Sequence, residues 1–409
     1  MNRKKILWVS HFLPYPAKGG AQIRSFNLIK ELARHHDVSL FCLVYEDVVM
    51  NYFESLDAAI SISEKVFKEF CIELTLVPIK RNKSKKMAFV KSLFSGESYS
   101  VSRLSVNFVK KELKKIIDQK KFDSVHLDTL SLCSLLDIFS GDRVVLNHHN
   151  IESLMMYRRA REQKNILMKL ICYLDAWKIQ KLEKYACATI NAHIVCSDLD
   201  GARLEELYPA IKTITIPNGI DCSSVVNNRH PDGESLLFIG GLDWYPNTDA
   251  VRFLLNHVWP KISEKNKNLK LDIIGKNPPS DVRELANQFI NVKLHGFVDD
   301  IEPYYERAWL YICPIKDGGG TKLKVLDALA HGVPLIAHPV AMEGIDAVSG
   351  VHYFQASAEQ DFVDLIFDLH SKSPDFLHKV GLNGKDLIFS KYDYDRIGKN
   401  LAKIYDQNE

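Results

Sequence analysis

The chain has 409 residues, of which 46% are hydrophobic and 25% are charged, and its formal net charge is +2. This length predicts two or more domains of ordinary size, and the near-neutral charge argues against a nucleic-acid partner bound by bulk positive charge. No apolar run approaches the roughly 18 residues that a membrane span needs, and we expect no signal peptide at the start. The eight cysteines form no Cys-x-x-Cys pair, so we expect reduced thiols in a cytoplasmic protein, with the inner face of a membrane as an alternative location.

The chain opens with a strand, a glycine-containing loop, a helix and a second strand. The predicted ranges are 5–10, 12–20, 21–34 and 38–45. This order is the start of a doubly wound α/β domain. A dinucleotide-binding fingerprint would require Gly-x-Gly-x-x-Gly in the loop, and the sequence has only Gly19 and Gly20 there. Taken alone, these two glycines indicate a tight turn.

Two lysine-rich segments follow. Residues 80–94 run from a basic cluster into apolar residues, and residues 108–121 are predicted to form a lysine-rich amphipathic helix. Charge runs are usually solvated faces. The functional alternative is peripheral contact with an anionic membrane surface.

A polar cluster ends the apolar strand predicted at 143–146. It reads Asn147-His-His-Asn150, and ligands of open α/β sheets bind at the carboxyl ends of parallel strands. This placement indicates His149 as a site residue, with a hydrogen-bonded structural histidine as the alternative.

A change in composition then marks a domain boundary. Residues 223–234 are rich in Ser, Asn, Pro and Gly, which is typical of a linker. Beyond it, the apolar run from Leu236 ends in Gly240-Gly241, so a second α/β domain is predicted to begin with another strand and glycine turn.

The most informative stretch is 316–336. An apolar strand at 309–314 precedes three glycines, a helix is predicted from Thr321 to Gly332, and a strand follows at 333–337. Glycines let a ligand approach the backbone, and the unpaired N–H groups of a helix N-terminus attract anions. The sequence therefore predicts a phosphate site here.

Lys322 and Lys324 are predicted in the first helical turn, where a cation opposes the helix dipole. A bound phosphate would reverse that preference; the alternative is two solvated lysines. Helical spacing puts Lys324 on the face of Asp327, whereas Lys322 faces away unless residues 321 and 322 belong to the loop.

Residues 317–334 resemble the signature of retaining GT-B glycosyltransferases of the large group-one (family four) class, in the branch with Gly-Gly-Gly-Thr-(Arg/Lys)-Leu-Lys. The resemblance implies an α/β protein with two Rossmann-like domains whose parallel sheets face each other across a cleft. It implies an N-terminal acceptor domain at 1–216, a hinge at 217–234, a C-terminal nucleotide-sugar donor domain at 235–390, and a helix at 391–409 that crosses back to the N-domain.

The resemblance also implies roles for residues. Asp327 stands where the family's second acid binds ribose, while the first acid falls on Gly319, so Asp317 is the candidate replacement. Relatives hold the diphosphate with an Arg and a Lys where this chain has Gly241 and Pro246, which shifts the charge to lysines and loop amides. The predicted catalytic residues are His149, Lys324 and Asp327, and the predicted donor-binding residues are Gly19, Gly20, Gly241, Phe297, Val298, Asp317, Gly318, Gly319, Gly320, Thr321 and Lys322.

The implied reaction moves a sugar, with retained configuration, from a nucleotide-diphosphate sugar such as a UDP- or GDP-sugar to an acceptor hydroxyl. The acceptor would be a glycan or a lipid-linked glycan in bacterial surface polysaccharide or glycoconjugate assembly. No cofactor, metal or nucleic-acid partner is expected. Two alternatives stay open: a nucleotide-sugar 2-epimerase of GT-B shape, and a non-catalytic GT-B subunit that binds sugar nucleotide or glycan.

Overall fold

The structure is a computed structural model that describes residues 3–80, 84–139, 141–190, 192–225, 228–318 and 320–406, with the backbone alone for residues 84–86. The chain divides into two compact units. Unit 1 comprises Met1–Pro217 and Asp395–Glu409, and unit 2 comprises Asn218–Tyr394.

Unit 1 is built on a parallel sheet. Its described strands are β1 (Lys5–Ser10), β2 (Asp37–Tyr45), β3 (Glu73–Ile79), β4 (Ser124–Leu127), β5 (Val144–Asn147), β6 (Ala192–Val195) and β7 (Thr213–Thr215). They lie in the order β3-β2-β1-β4-β5-β6-β7, and each neighbouring pair is parallel. The order runs outward in both directions from β1, as in a doubly wound Rossmann-like domain. β1 and β2 are buried along most of their length, which fits strands covered on both faces.

Helices connect these strands. They are α1 (Gly20–Ala33), α2 (Glu46–Val49), α3 (Leu56–Phe67), α4 (Ser84–Phe94), α5 (Tyr99–Leu104), α6 (Val106–Ile117), α7 (Glu152–Glu162), α8 (Ile166–Thr189) and α9 (Asp198–Leu207). Helices α7 and α8 are separated by a short break before Ile166. Asn165 explains the break, because its side chain accepts a hydrogen bond from the Met168 amide as an N-cap.

Unit 2 repeats the plan with a second parallel sheet. Its described strands are β8 (Ser235–Ile239), β9 (Lys270–Ile274), β10 (Val292–Gly296), β11 (Leu310–Cys313), β12 (Leu335–Ala337) and β13 (Phe354–Gln355). Their order is β10-β9-β8-β11-β12-β13, with parallel pairs throughout. The predicted pair of Rossmann-like domains is therefore confirmed.

The helices of unit 2 follow the same alternation with strands. They are α10 (Tyr245–Phe253), α11 (Trp259–Lys265), α12 (Ser280–Ala286), α13 (Glu302–Arg307), α14 (Leu323–Ala330), α15 (Glu359–Ser371) and α16 (Pro374–Lys391). Short 3-10 helices lie at Leu130–Ile138, Cys222–Ser224 and Pro339–Met342, and a π-helical turn lies at Leu254–Val258. Helix α14 begins at Leu323, not at Thr321 as predicted, so Lys322 precedes the helix.

The last helix, α17 (Tyr394–Asp406), belongs to unit 1 from Asp395 onward. Leu401 and Tyr405 are buried on it. The Tyr405 hydroxyl lies 2.5 Å from His126 Nδ1, and the Arg143 guanidinium donates to the Ile404 carbonyl at 2.8 Å. Residues distant in sequence therefore complete the packing of unit 1.

The eight cysteines are free and buried. Among the described residues, no helix has both the length and the apolar character that crossing a membrane requires.

In both units the strand order reverses beside the first strand. This switch point lies between β1 and β4 in unit 1 and between β8 and β11 in unit 2. The loops that leave the carboxyl ends of these strands are the expected ligand site of a doubly wound sheet. The candidate residues of each unit lie on or beside these loops.

Candidate functional site

In unit 2, the turn after β8 is packed too tightly for side chains. A Cβ atom on Gly240 would lie 2.6 Å from Lys324 Nζ and 3.0 Å from Asn247, and one on Gly241 would lie 2.8 Å from Asp243 Oδ1. Asn247 fastens the turn by donating from Nδ2 to the Gly241 carbonyl at 2.7 Å. The absence of side chains at the turn therefore leaves room for the lysine that arrives from α14.

Lys324 lies in the first turn of α14, and its ammonium group bonds to Asn247 Oδ1. The ammonium also lies 5.4 Å from the centre of the Phe238 ring, within the range of a cation–π contact. Burial lowers the pKa of Lys324 to about 8. An anion placed beside this ammonium would favour its charged form, so the site suits a phosphate.

The loop between β11 and α14 turns on glycines in backbone conformations that other residues rarely adopt. Gly318 has φ of +111° and Gly320 has φ of +66°. Lys322 holds this loop, because its ammonium donates to the carbonyls of Gly318 and Gly320 at 2.9 Å each. The expectation that Lys322 lies in the helix and faces away is thus corrected: it precedes the helix and folds back over the loop. Gly319, a predicted donor-binding residue, lies outside the described residues.

Asp317 is joined to the segment after β8. Its Oδ2 accepts a hydrogen bond from the Tyr245 hydroxyl at 2.6 Å, and its Oδ1 accepts one from the Gly318 amide at 2.6 Å. Together with the contact between Asn247 and Lys324, this bond shows that two motifs some 70 residues apart form one structure.

The same loop is tied to the start of unit 2. The Asn218 side chain donates to the Thr321 carbonyl at 3.1 Å, and both residues are buried. Thr321 therefore acts through its backbone as the anchor of the loop on the Pro217-Asn218-Gly219 motif.

Asp327 lies one turn further along α14, near a second acid. The His331 ring has a hydrogen-bond acceptor at each nitrogen: Nδ1 lies 2.7 Å from the Asp327 carbonyl oxygen, and Nε2 lies 3.0 Å from the Glu302 carboxylate. The His331 ring stacks on the buried Tyr305 ring at 4.1 Å. Burial raises the pKa of the Asp327 carboxyl, with the charge of Glu302 adding to the rise and His331 opposing it. This pair of acids can accept hydrogen bonds from vicinal hydroxyl groups.

The predicted base-contacting segment follows β10. Gly296 turns the chain with φ of +72°. The Phe297 side chain is exposed, whereas Val298 packs on the core of unit 2. The Phe297 ring is thus the part of this segment that can stack on a flat ligand.

Unit 1 has a buried carboxylate at its own switch point. Asp128 follows β4, and its oxygens accept hydrogen bonds from Ser25 at 2.7 Å and Asn147 at 3.0 Å, while Ser10 lies at 3.3 Å. His149 Nε2 lies 3.1 Å from the same carboxylate. Burial works to raise the pKa of Asp128, but the charge and hydrogen bond of His149 prevail and lower it to about 2. Asp128 is therefore ionised and orients the imidazole.

The structure distinguishes the two adjacent histidines. His148 is buried, and its Nε2 lies 3.1 Å from His193 Nδ1; burial lowers its pKa to about 3. His149 keeps 12% of its side chain exposed beside Asp128. His149 is therefore the more accessible of the two, and its role as a site residue stays a prediction.

Gly19 and Gly20 lie at the start of α1. Gly19 is the N-cap in an ordinary extended conformation, and the first turn of α1 contains no acidic side chain. The first amides of this 14-residue helix are available to an anion.

Sequence reasoning missed three residues that the structure places in these sites. They are Asp128, Asn247 in its contact with Lys324, and Glu302. Asp128 had a usable signal, because it is the first polar residue after a buried strand. The partners of Asn247 and Glu302 lie on or at the end of α14, distant in sequence, so the linear sequence carries no sign of these contacts. Among the described residues, no group of three or more His, Cys, Asp and Glu side chains is arranged to hold a metal ion.

Two family models match this chain. Residues 18–224 match the one described as Glycosyltransferase Family 4, and residues 233–372 match the one described as Glycosyl transferases group 1. A Klebsiella pneumoniae protein, described as an uncharacterized protein in the cps region, is 24% identical and covers 98% of this chain and 99% of its own length.

Solved structures resemble the chain over its full length. Sucrose-phosphate synthase from Thermosynechococcus elongatus has a TM-score of 0.71 at 16% identity, with 99% of each chain covered. Anabaena HepE in complex with UDP and glucose has a TM-score of 0.67 at 12% identity, with 99% of this chain and 100% of that chain covered. A variant of S. aureus TarM in complex with Fondaparinux, alpha-GlcNAc-glycerol and UDP has a TM-score of 0.65 at 12% identity, over 99% of this chain and 100% of that chain. With the two parallel sheets, these likenesses confirm the predicted GT-B fold.

Proposed function

This chain belongs to the family 4 glycosyltransferases of group 1, and on that premise we propose that it transfers a sugar from a nucleoside diphosphate sugar to an acceptor hydroxyl with retained configuration. The observation that carries the proposal is Lys324, an ammonium group held by Asn247 beside a glycine turn at the switch point of unit 2. Its position suits the charge of a leaving diphosphate.

The proposed step breaks the bond between the sugar C1 atom and the diphosphate oxygen and forms a bond from C1 to the acceptor oxygen. The acceptor proton passes to the departing phosphate on the same face. Charge builds up on the diphosphate as the bond breaks, so a fixed cation and backbone amides stabilise the transition state more than the ground state. Lys324 and the amides of Gly320 and Thr321 would supply this stabilisation, without a metal ion.

We assign the ribose of the donor to Asp327 and the sugar to His149. On this assignment two acids would face the ribose, since His331 bonds to Glu302 and Glu302 lies near Asp327. The missing family acid at Gly319 would be replaced by Asp317, which Tyr245 orients. On this proposal the chain is a member of the Gly-Gly-Gly-Thr-(Arg/Lys)-Leu-Lys branch, and the Asn247–Lys324 contact replaces the usual Arg and Lys clamp.

We propose a UDP-sugar as the first donor to test, because HepE and TarM were solved with UDP. The relative in a cps region suggests a glycan acceptor in surface polysaccharide assembly. The test incubates the protein with UDP- and GDP-sugars and with soluble or lipid-linked glycan acceptors, then measures free nucleotide and acceptor mass. Proton NMR of the product reads the anomeric configuration, and added chelator should leave the rate unchanged.

The expected result is one nucleoside diphosphate released for each acceptor that gains a sugar. Release of nucleotide with an altered free sugar and no acceptor would identify a 2-epimerase instead. Donor binding without turnover on the whole panel would identify a binding subunit. Lys324→Ala serves as the control for contaminating transferases, since it should remove the signal without unfolding the protein.

A further inference from the structure

Helices α4 and α8 of unit 1 present large apolar side chains to solvent. Phe94 is 88% exposed, Ile166 77%, Leu167 67% and Leu170 61%. Single exposed apolar residues are common on soluble proteins, whereas contiguous ones mark an interaction surface. Whether these residues form one surface therefore decides their meaning.

On α8 the exposed apolar side chains lie on one face of the helix, because they recur at intervals of three or four residues. The end of α4 lies against this helix, since the Lys178 ammonium donates to the Ser92 carbonyl. Phe89 and Leu93 of α4 and Met168 of α8 also line a single, mainly apolar cavity of about 210 Å³. We call the exposed face of α8, together with Phe94 at the end of α4, the α4–α8 surface. On α8 it consists of Ile166, Leu167, Leu170, Leu174 and Trp177.

The surroundings of the α4–α8 surface are basic. Residues 158–184 contain eight Lys and Arg but three Asp and Glu. One of the eight, Lys178, is buried with its ammonium on the Ser92 carbonyl. Two of those acids face inward, since Asp175 bonds to the Tyr99 amide and Glu183 is buried with Ser153. Lys181 lies 3.6 Å from the centre of the exposed Trp177 ring. Apolar side chains can enter the acyl region of an anionic membrane while the surrounding cations contact its headgroups.

The other lysine-rich helix, α6, does not share these properties. Its apolar residues Val109 and Leu113 are buried in the core. Lys110 pairs with Asp137 at 2.6 Å, and Lys115 pairs with Glu112 at 2.7 Å. The membrane contact expected from the lysine-rich segments therefore moves away from α6 and onto α4 and α8.

We propose that the α4–α8 surface docks unit 1 on an anionic lipid bilayer, with the apolar side chains at the acyl boundary and the basic side chains among the headgroups. A second copy of the chain is the less suitable occupant. In a symmetric dimer the same patch meets itself, which would place these cations against their own copies. The docking does not depend on the transfer reaction, so it can be tested separately.

The test measures binding of the purified protein to sedimenting vesicles. Vesicles of phosphatidylcholine with about a third phosphatidylglycerol should bind at least about tenfold more protein than pure phosphatidylcholine, and raising the salt from about 0.05 to 0.5 M should remove most of the difference. The double variant Leu167→Ser/Leu170→Ser should reduce binding about tenfold with an unchanged melting temperature. Lys164→Glu/Lys184→Glu should do the same and flatten the salt dependence.

A matched control and a local probe separate docking from nonspecific adsorption. Ile290 and Phe389 of unit 2 are exposed apolar residues, and Ile290→Ser/Phe389→Ser should bind as the unaltered protein does. Trp177 fluorescence should be quenched by brominated lipid, and Trp177→Phe should remove that quenching. Equal binding to neutral vesicles, or no loss in the α8 variants, would overturn the proposal. A lipid-free dimer that Leu167→Ser/Leu170→Ser dissociates would also overturn it and name a second copy as the occupant.

Discussion

At the scale of single residues, Lys322 and Lys324 beside the glycine loop have different proposed roles. The Lys324 ammonium is held by Asn247 at the open turn after β8, whereas the Lys322 ammonium is occupied by two carbonyls of its own loop. Removing one charge-stabilising group from an active site typically costs about a hundred- to a thousandfold in turnover. We expect a loss of that size for Lys324→Ala, mainly in kcat.

For Lys322→Ala we expect a smaller loss that appears mainly in KM, because the loop loses a clamp but the diphosphate keeps its cation. Steady-state kinetics on both variants checks this, with melting temperature as the folding control. Equal losses in kcat would show that Lys322, which precedes α14, and Lys324, which lies in its first turn, do not differ in role. Full activity in Lys324→Ala would remove the proposed account of the leaving group.

The glycine turn gives a second test at this scale. Gly240→Ala places a methyl group 2.6 Å from Lys324 Nζ. The far end of a lysine moves easily, so the fold should survive while the ammonium is displaced. We expect turnover to fall at least about tenfold. This loss is smaller than the one expected for Lys324→Ala, because the ammonium is displaced but not removed. Gly241→Ala is the matched control, since its methyl group would meet the side chains of Asp243 and Lys276 and not Lys324. Comparable loss in both variants would contradict a specific effect on Lys324.

At the scale of elements, α7 begins with Glu152, an acid whose effect on the stability of the protein depends on pH. Burial, and then the charge of Glu183, raises the pKa of Glu152 to about 7, against a hydrogen bond from the Leu130 backbone. The pKa of this carboxyl is higher in the folded than in the unfolded protein. The free energy of unfolding therefore falls as the pH rises from the unfolded pKa through the folded pKa. That window runs from about 4.5 to about 7.

Glu152→Gln cannot ionise, so its advantage over the unaltered protein should be largest above the window. We expect a gain on the order of 1–3 kcal/mol at about pH 8. Near pH 4.5 the advantage should be close to zero. Denaturant melts at the two pH values measure it. Glu162→Gln, exposed at the other end of α7, is the control. A gain that does not change with pH would show that Glu152 is not buried as described.

The sequence predicted the strands well because buried apolar runs alone determine them. The strand predicted at 5–10 is β1, and the one predicted at 38–45 differs from β2 by one residue. Helix starts were harder. Thr321 and Lys322 do not break a helix by themselves, and their place in the loop is set by the contacts of Lys322 with Gly318 and Gly320.

The candidate sites divide in the same way. His149 and the glycine loop could be proposed from the sequence because each closely follows an apolar run, and Lys324 because it lies in the helix that follows the loop. Asp128 gathers partners from β1, α1 and β5, and Asn247 reaches Lys324 across 77 residues. Such contacts depend on strand order, which a single sequence does not encode in any local pattern. The assigned roles stay predictions until the variants are measured.

At the scale of the whole molecule, the segment 217–234 was predicted to be the hinge. Its second half is bound to unit 2: the amides of His230 and Asp232 donate to the carbonyls of Glu306 and Arg307, and the Arg229 guanidinium donates to the Gly332 carbonyl. Ser223 and Ser224 in the first half are exposed. A protease cleaves most readily where the backbone is exposed and not held by hydrogen bonds to the rest of the protein. We therefore expect the first cut by subtilisin within 222–228.

Arg229→Ala should extend the cuts into 229–234, and UDP should slow them if the donor binds the folded protein. Mass spectrometry of the fragments reads both effects. A first cut inside residues 1–200 would contradict the proposed domain boundary. Early cleavage within 229–234 of the unaltered protein would contradict the described bonds.

The placement of α17 has a consequence for synthesis. Unit 1 needs residues from Asp395 onward, yet the whole of unit 2, Asn218–Tyr394, is translated first. At about 5–20 residues per second, that interval lasts roughly 10–35 s. During it the nascent unit 1 lacks the helix that buries Leu401 and Tyr405 and meets His126. Unit 2 therefore can finish folding before unit 1, although unit 1 begins to emerge from the ribosome first. Unit 1 keeps an uncovered apolar face until α17 has been translated.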